Sequence, residues 1–131
     1  MDLFDEFAVD AEKATKGVWQ KLYGDAEFLL AAADNPEAEA LRLELMRQFR
    51  PAMVAGGRVA NGALLEIECQ VLSKTVLLGW KNVTENGEEV EATQENRYKM
   101  LRKYDKLRGL VNTAAGAAEP YKLEKDAGVK N

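Results

Sequence analysis

Reactive chemistry is thinly supplied in this chain. None of its 131 residues is a His, which removes the commonest general base, the commonest zinc ligand and every Ser-His or Cys-His pair. Cys69 is the only cysteine, so it has no partner for a disulfide or thiol-metal site and reads as a small core residue. The carboxylates include no pair at metal-site spacing with a supporting His. Gly56-Gly57 lacks the Lys-Ser/Thr that completes a phosphate loop, and Gly109 and Gly116 have no loop context. The sequence therefore predicts no catalytic, cofactor-binding or metal residues, and no enzyme.

What remains is the chemistry of binding. Arg97, Lys99, Arg102, Lys103, Lys106 and Arg108 face only Asp105, with Tyr98 and Tyr104 interleaved. Such a run suits a phosphate backbone, or else a solvated helix face matched to the acidic residues Glu85, Glu88, Glu89 and Glu91. The second reading is preferred, because 18 Lys+Arg against 22 Asp+Glu leave a net charge of −4. A small DNA-binding regulator built on 97–108 stays as the alternative, and nucleic acid is not an expected partner.

These residues must be positioned by regular elements. Residues 1–16 mix Asp2, Asp5, Glu6, Asp10 and Glu12 with Leu3, Phe4, Phe7 and Val9, as a short helix or a mobile arm. Two aromatic and aliphatic runs, 17–23 and 26–30, flank Gly24-Asp25 and predict a β-hairpin. Asn35-Pro36-Glu37 is a helix start: a side-chain acceptor, a ring with φ preset, and an acid at the positive dipole end. That helix should run from Pro36 to Phe49 with Ala38, Leu41, Leu45 and Phe49 inward, and Arg50-Pro51 should disturb it.

The stretch from Leu64 to Trp80 predicts a helix with an apolar arc about twice the roughly 100° of an ordinary surface helix. Glu68 projects into that arc beside Thr75, either reaching solvent at its edge or facing an Arg across an interface, and Leu77 projects onto the narrow polar side. Leu77 and Trp80 are accordingly expected as contacts to other proteins. Trp19 and Phe28 read as hairpin packing residues that would be adhesive on an exposed edge strand.

Asn86-Gly87 predicts a turn, Thr93 an N-cap, and Tyr98 to Ala115 a helical stripe broken near Asp105 or Gly109. Residues 119–131 read as a frayed tail. The fold class expected is mainly α: one small helical domain over 1–131 with a short amino-terminal β-hairpin. A 47% apolar and 31% charged composition fits a folded soluble chain. The longest strongly apolar run, Thr75 to Trp80, is far short of the ~18 residues of a membrane span. The lone cysteine and an acidic start, where a secretory signal would be basic and then apolar, suggest a cytosolic protein.

From Thr75-Val76-Leu77-Leu78-Gly79-Trp80-Lys81-Asn82-Val83-Thr84 through the acidic turn 85–90 to Thr93-Gln94-Glu95-Asn96, the sequence resembles the tail assembly chaperones of long-tailed bacteriophages. Gly17-Val18-Trp19, the segment Tyr23 to Ala31 and Asn35-Pro36-Glu37 resemble that family in the same order, so the likeness spans roughly Asp5 to Val111. At the last helix start Thr93-Gln94 stands where the family usually has Ser-Pro. The resemblance implies a host-cytoplasmic, self-associating protein, absent from the mature virion. It would bind the tape measure protein, keep it soluble and help recruit tail tube subunits. The contact residues expected for it are Leu77, Trp80, Glu68, Trp19 and Phe28. A structural head-tail component is a further alternative.

Overall fold

The computed structural model describes residues 1–124. Two short helices open the chain, α1 (Leu3–Phe7) and α2 (Ala11–Lys16), with Asp2 and Asp10 as N-caps accepting from backbone N–H groups of their first turns. The predicted hairpin follows as β1 (Val18–Tyr23) and β2 (Ala26–Leu30). Then come α3 (Pro36–Gln48), α4 (Arg50–Ala55) and α5 (Gly57–Val71). A π-helical turn, Leu72–Val76, leads directly into β3 (Leu77–Lys81). A two-stranded ribbon of β4 (Thr84–Glu85) and β5 (Glu88–Glu89) precedes α6 (Gln94–Lys103) and α7 (Asp105–Gly116), and a 3₁₀ turn at Glu119–Tyr121 closes the described chain.

The expectation of a mainly α fold with a lone hairpin is overturned. Helix makes up 60% and strand 18%, and the hairpin belongs to a three-stranded antiparallel sheet ordered β1-β2-β3. The third strand comes from the carboxy-terminal end of the predicted Leu64–Trp80 helix. Val76 to Trp80 is almost uniformly apolar, so helical and alternating templates both fit, and periodicity does not separate them. Tertiary pairing decides: Phe28 stands opposite Trp80, Leu29 opposite Gly79 and Leu30 opposite Leu77, with a bulge between Leu29 and Leu30.

A helix that stops this abruptly leaves carbonyls without intrahelical partners. Each is answered. Leu77 N–H closes the π turn on the Leu72 carbonyl. Arg97 Nη2 donates to the Ser73 carbonyl at 3.0 Å, Asn35 Nδ2 to the Thr75 carbonyl at 3.0 Å, and Ala31 N–H to the Val76 carbonyl at 2.9 Å. Thr75 bonds back to the Val71 carbonyl at 2.7 Å, the local competition that lets a hydroxyl loosen a helix end.

Asn35 performs the capping read from the sequence, accepting from Ala38 N–H at 3.0 Å, while its amide ties α3 to the π turn. Pro51 falls in the first turn of α4, so the chain restarts a helix after Phe49 instead of leaving helical structure. Asn86 and Gly87 both have positive φ, 52° and 82°, as a tight hairpin turn between β4 and β5 requires. Thr93 caps α6 by accepting from Asn96 N–H at 3.1 Å. The break between α6 and α7 falls at Tyr104, which is extended. Arg108 Nη1 donates to the orphaned carbonyls of Leu101 and Arg102 at 2.8 and 3.3 Å.

The core lies between the inner face of the sheet and the helices. Leu30, Leu72, Val76, Leu77, Leu101 and Val111 are fully enclosed in it. Tyr121 corrects the expectation of a tail frayed from residue 119. It is buried, its hydroxyl donates to the Leu30 carbonyl at 3.0 Å, and the adjoining Lys122 bridges to Val9. The remainder of that predicted tail, 125–131, lies outside the described residues. Among the described residues no helix is long and apolar enough to cross a membrane.

Candidate functional site

The five expected contact residues do not form one surface. Leu77 is completely enclosed and Trp80 is only 6% exposed; both point from β3 into the core, where Phe28 on β2 is also buried. Trp80 Nε1 donates to the Val90 carbonyl at 2.7 Å, which satisfies its one polar atom. The over-wide apolar arc thus reflects a segment covered by the chain's own sheet and helices, and Leu77, Trp80 and Phe28 are structural. Glu68 sits half-buried on α5 and accepts from the Asn112 side chain of α7. Cys69 is buried, and burial raises its thiol pKa above the ordinary value, so it offers little nucleophilic thiolate.

Trp19 remains available at 42% exposure. Along β1 the side chains alternate, with Val18, Gln20 and Leu22 inward and Trp19, Lys21 and Tyr23 outward. The indole lies over the bare backbone of Gly79, two strands away, and Lys81 Nζ stands 4.1 Å from its ring centre. The result is a small aromatic and charged face on the outer side of the sheet.

The basic run is tied into the fold. Arg97 donates to the Ala92 carbonyl at 2.5 Å as well as to Ser73, and Arg102 pairs with Glu66 at 2.9 Å. Lys103 pairs with Glu85 at 2.8 Å, and Tyr104 donates to the same carboxylate at 2.6 Å. Hydrogen bonds from these two hold Glu85 below the ordinary carboxylate pKa, and Glu85 in turn holds Lys103 above the ordinary ammonium value. Arg108 pairs with Asp105 at 2.8 Å besides binding the end of α6. Lys99 pairs with Glu95 at 3.1 Å, so five of the six basic side chains have internal partners, and of the acidic residues 85–91 it is Glu85 that meets them.

A set of exposed apolar side chains lies elsewhere, on the layer α3–α5. Leu43 is 69% and Val54 82% exposed, with Met46, Val59 and Leu64 also outside. Leu43, Met46 and Met53 line a groove between α3 and α4 whose rim carries Arg47 and Arg50. Met46 also faces a second depression, with Leu64, Ile67, Arg42 and Glu68. Arg47 is paired with Glu44 at 2.9 Å, whereas Arg50 and Arg58 make no ion pair among the described residues. The sequence carried a signal for this surface: Leu43 and Met46 lie off the inward stripe of Ala38, Leu41 and Leu45. Leu64 belongs to the apolar arc predicted for Leu64 to Trp80, yet the structure leaves it 48% exposed.

Among the described residues, no group of three or more His, Cys, Asp or Glu side chains is placed to hold a metal ion. A family model described as YdaY prophage protein matches residues 33–131, from the end of the hairpin onward, and so takes in the whole α3–α5 layer. The chain belongs to the YdaY prophage protein family. It is phage-derived, and the YdaY match leaves α1, α2, β1 and β2 outside its span. No curated protein and no solved structure matches the chain.

Proposed function

We propose that this prophage protein is a tail assembly chaperone that binds the tape measure protein, keeps it soluble and helps bring tail tube subunits to it. The observation that carries this reading is the open groove of Leu43, Met46 and Met53 on the α3–α5 layer. An amphipathic helix of a long, partly folded client lays its apolar stripe into such a groove and is read by side chains at helical spacing. The arginines of the rim would meet acidic residues flanking that stripe. Membership in a prophage family and the resemblance from Asp5 to Val111 support the same reading. On it the protein acts in the host cytoplasm, self-associates and leaves before the virion matures.

The test is co-expression with the tape measure protein of the same prophage. That protein is expected in the supernatant with the wild-type chain and in the pellet without it. Leu43→Glu with Met46→Glu, on a surface where folding tolerates charge, is expected to return it to the pellet. Equal partition with and without this chain overturns the proposal. Mass spectrometry of purified particles separates a chaperone from a head-tail component, which would remain in the particle.

A further inference from the structure

The two ends of the described chain hold each other. Val9 pairs with Lys122 in an antiparallel bridge, and Asp10 N–H donates to the Tyr121 carbonyl and Leu123 N–H to the Ala8 carbonyl, each at 2.9 Å. Lys122 Nζ stands 3.8 Å from a Glu6 carboxylate oxygen. Among the described residues, the hydrogen bonds and ion pairs that tie residues 6–9 to later parts of the chain all end on Lys122 or Leu123. Helix α1 buries no residue and, at five residues, is too short to be helical unaided. Its order is borrowed from the other end of the chain.

That other end is itself pinned at one point. Across residues 116–124 the buried side chain is Tyr121, which packs with Ala14, Val18 and Ala32. Its hydroxyl donates to the Leu30 carbonyl at 3.0 Å and accepts from Gln20 Nε2 at 3.2 Å, so the phenol is tied to both strands of the hairpin. The Lys13–Glu124 pair at 3.3 Å is largely solvated and adds little. The elements on either side are secured without Tyr121. Ala32 N–H donates to the Ala14 carbonyl at 2.8 Å, which fixes α2, and Ala33 N–H donates to the Ala115 carbonyl at 2.9 Å, which fixes the end of α7.

We propose that residues 1–9 and 117–124 form one latch with Tyr121 as its peg, opening and closing together while α2, the hairpin and α7 stay folded. Opening withdraws one aromatic side chain and breaks one short bridge, whereas global unfolding exposes the whole enclosed core; segments of this kind open at free energies well below the global value. Phe7, Val9 and Tyr121 line a cavity of about 470 Å³ together with Ala33, Asp34 and Arg42, so the latch makes one side of that cavity and its release removes that side. The coupling is reciprocal. A partner that draws out the carboxy-terminal stretch frees the amino-terminal arm, and a partner that takes the arm frees the stretch.

Residue-resolved amide hydrogen exchange on the full chain tests the latch. In the wild type, Glu6, Ala8, Tyr121 and Lys122 are expected to share one protection level, below that of the core amides Leu101 and Val111. The N–H groups of Glu6 and Ala8 bond within the arm, to the Asp2 and Phe4 carbonyls, so faster exchange there reports melting of α1 itself. Tyr121→Ala is expected to lower protection at Glu6 and Ala8 at least about tenfold, with Leu101 and Val111 still the slowest. Deletion of residues 1–9, which leaves Asp10 to cap α2, is expected to speed Tyr121 and Lys122 by a similar factor. Leu77→Ala, in the core, should leave Glu6 and Ala8 at wild-type rates. Wild-type ends as slow as the core, an arm that keeps its protection in Tyr121→Ala, or Tyr121 and Lys122 amides unmoved by the deletion each overturn the proposal. If Tyr121→Ala does not fold by circular dichroism, Leu123→Pro takes its role with the same expected outcomes: it removes the donor to the Ala8 carbonyl and follows a Lys122 already extended at φ −64°, ψ 139°.

Discussion

Tyr98, on α6, donates its phenolic hydrogen to a carboxylate oxygen of Glu66, on α5, at 2.5 Å, and Arg102 reaches the same oxygen at 2.9 Å. Burial pushes the Glu66 pKa up, but the hydrogen bonds from Tyr98 and Gln70 and the charge of Arg102 outweigh it and hold the carboxyl below its ordinary value. The same contact raises the Tyr98 pKa, since ionising the phenol would set two anions face to face.

A depressed carboxyl pKa stabilises the folded state above the unfolded value of 4.5, and that contribution disappears as pH falls through the folded value. Urea midpoints measured from pH 7 down to acid should therefore fall more steeply in the wild type than in Glu66→Gln. Tyr98→Phe should cost roughly 1 kcal/mol at neutral pH, the scale of one partly exposed hydrogen bond. An identical acid limb in Glu66→Gln and wild type would remove this account.

Arg97 answers the carbonyls of Ser73 and Ala92 from a guanidinium whose own Nε is buried without a partner, and burial lowers its pKa. Arg97→Ala leaves both carbonyls unsatisfied where the π turn meets β3, and should destabilise by about 2–4 kcal/mol in equilibrium urea unfolding. Arg97→Lys, which supplies one point donor in place of a fork, should recover only part of that loss.

Leu77→Ala removes a fully enclosed side chain and should cost about 2–5 kcal/mol. Trp19→Ala, at a half-open site, should cost far less, near 1 kcal/mol. Thermal melts of the two variants distinguish the core role of Leu77 from a contact role: a Leu77→Ala protein as stable as the wild type would contradict its placement in β3.

The Tyr121 phenol is pushed up to about 12 by burial, against an opposing hydrogen bond from Gln20. A phenol pKa raised above its unfolded value of 10.0 contributes stability that is complete below that value and is lost as pH climbs from there to about 12. Tyr121→Phe keeps the packing and deletes the titration, so its unfolding midpoint should drop less steeply over that interval. Ultraviolet titration should show one fewer late-ionising phenol in the variant.

Much of this fold was readable from local chemistry. Asn35 with Pro36, Asn86 with Gly87, and Thr93 each announce a cap or turn by the groups they carry, and each is found in that role. The passage from α5 to β3 was not readable, because a run as uniformly apolar as Val76 to Trp80 satisfies a helix and a buried strand alike, and only pairing with β2 chooses. Tyr121 was missed for the converse reason: one aromatic in a polar stretch carries no period, and its burial depends on hydrogen bonds to residues 90 positions away. For the candidate site, Trp19 could be anticipated as an outward hairpin residue. Leu77 and Trp80 were misassigned together with the strand that holds them. Leu43 and Met46 were visible only as apolar residues on the wrong side of their helix.

The direct passage from α5 through the π turn into β3 has a mechanical consequence. With no slack between the helical layer and the sheet, a displacement of α5 is passed directly to β3 and the strands paired with it. Helical layer and sheet therefore shift as one body.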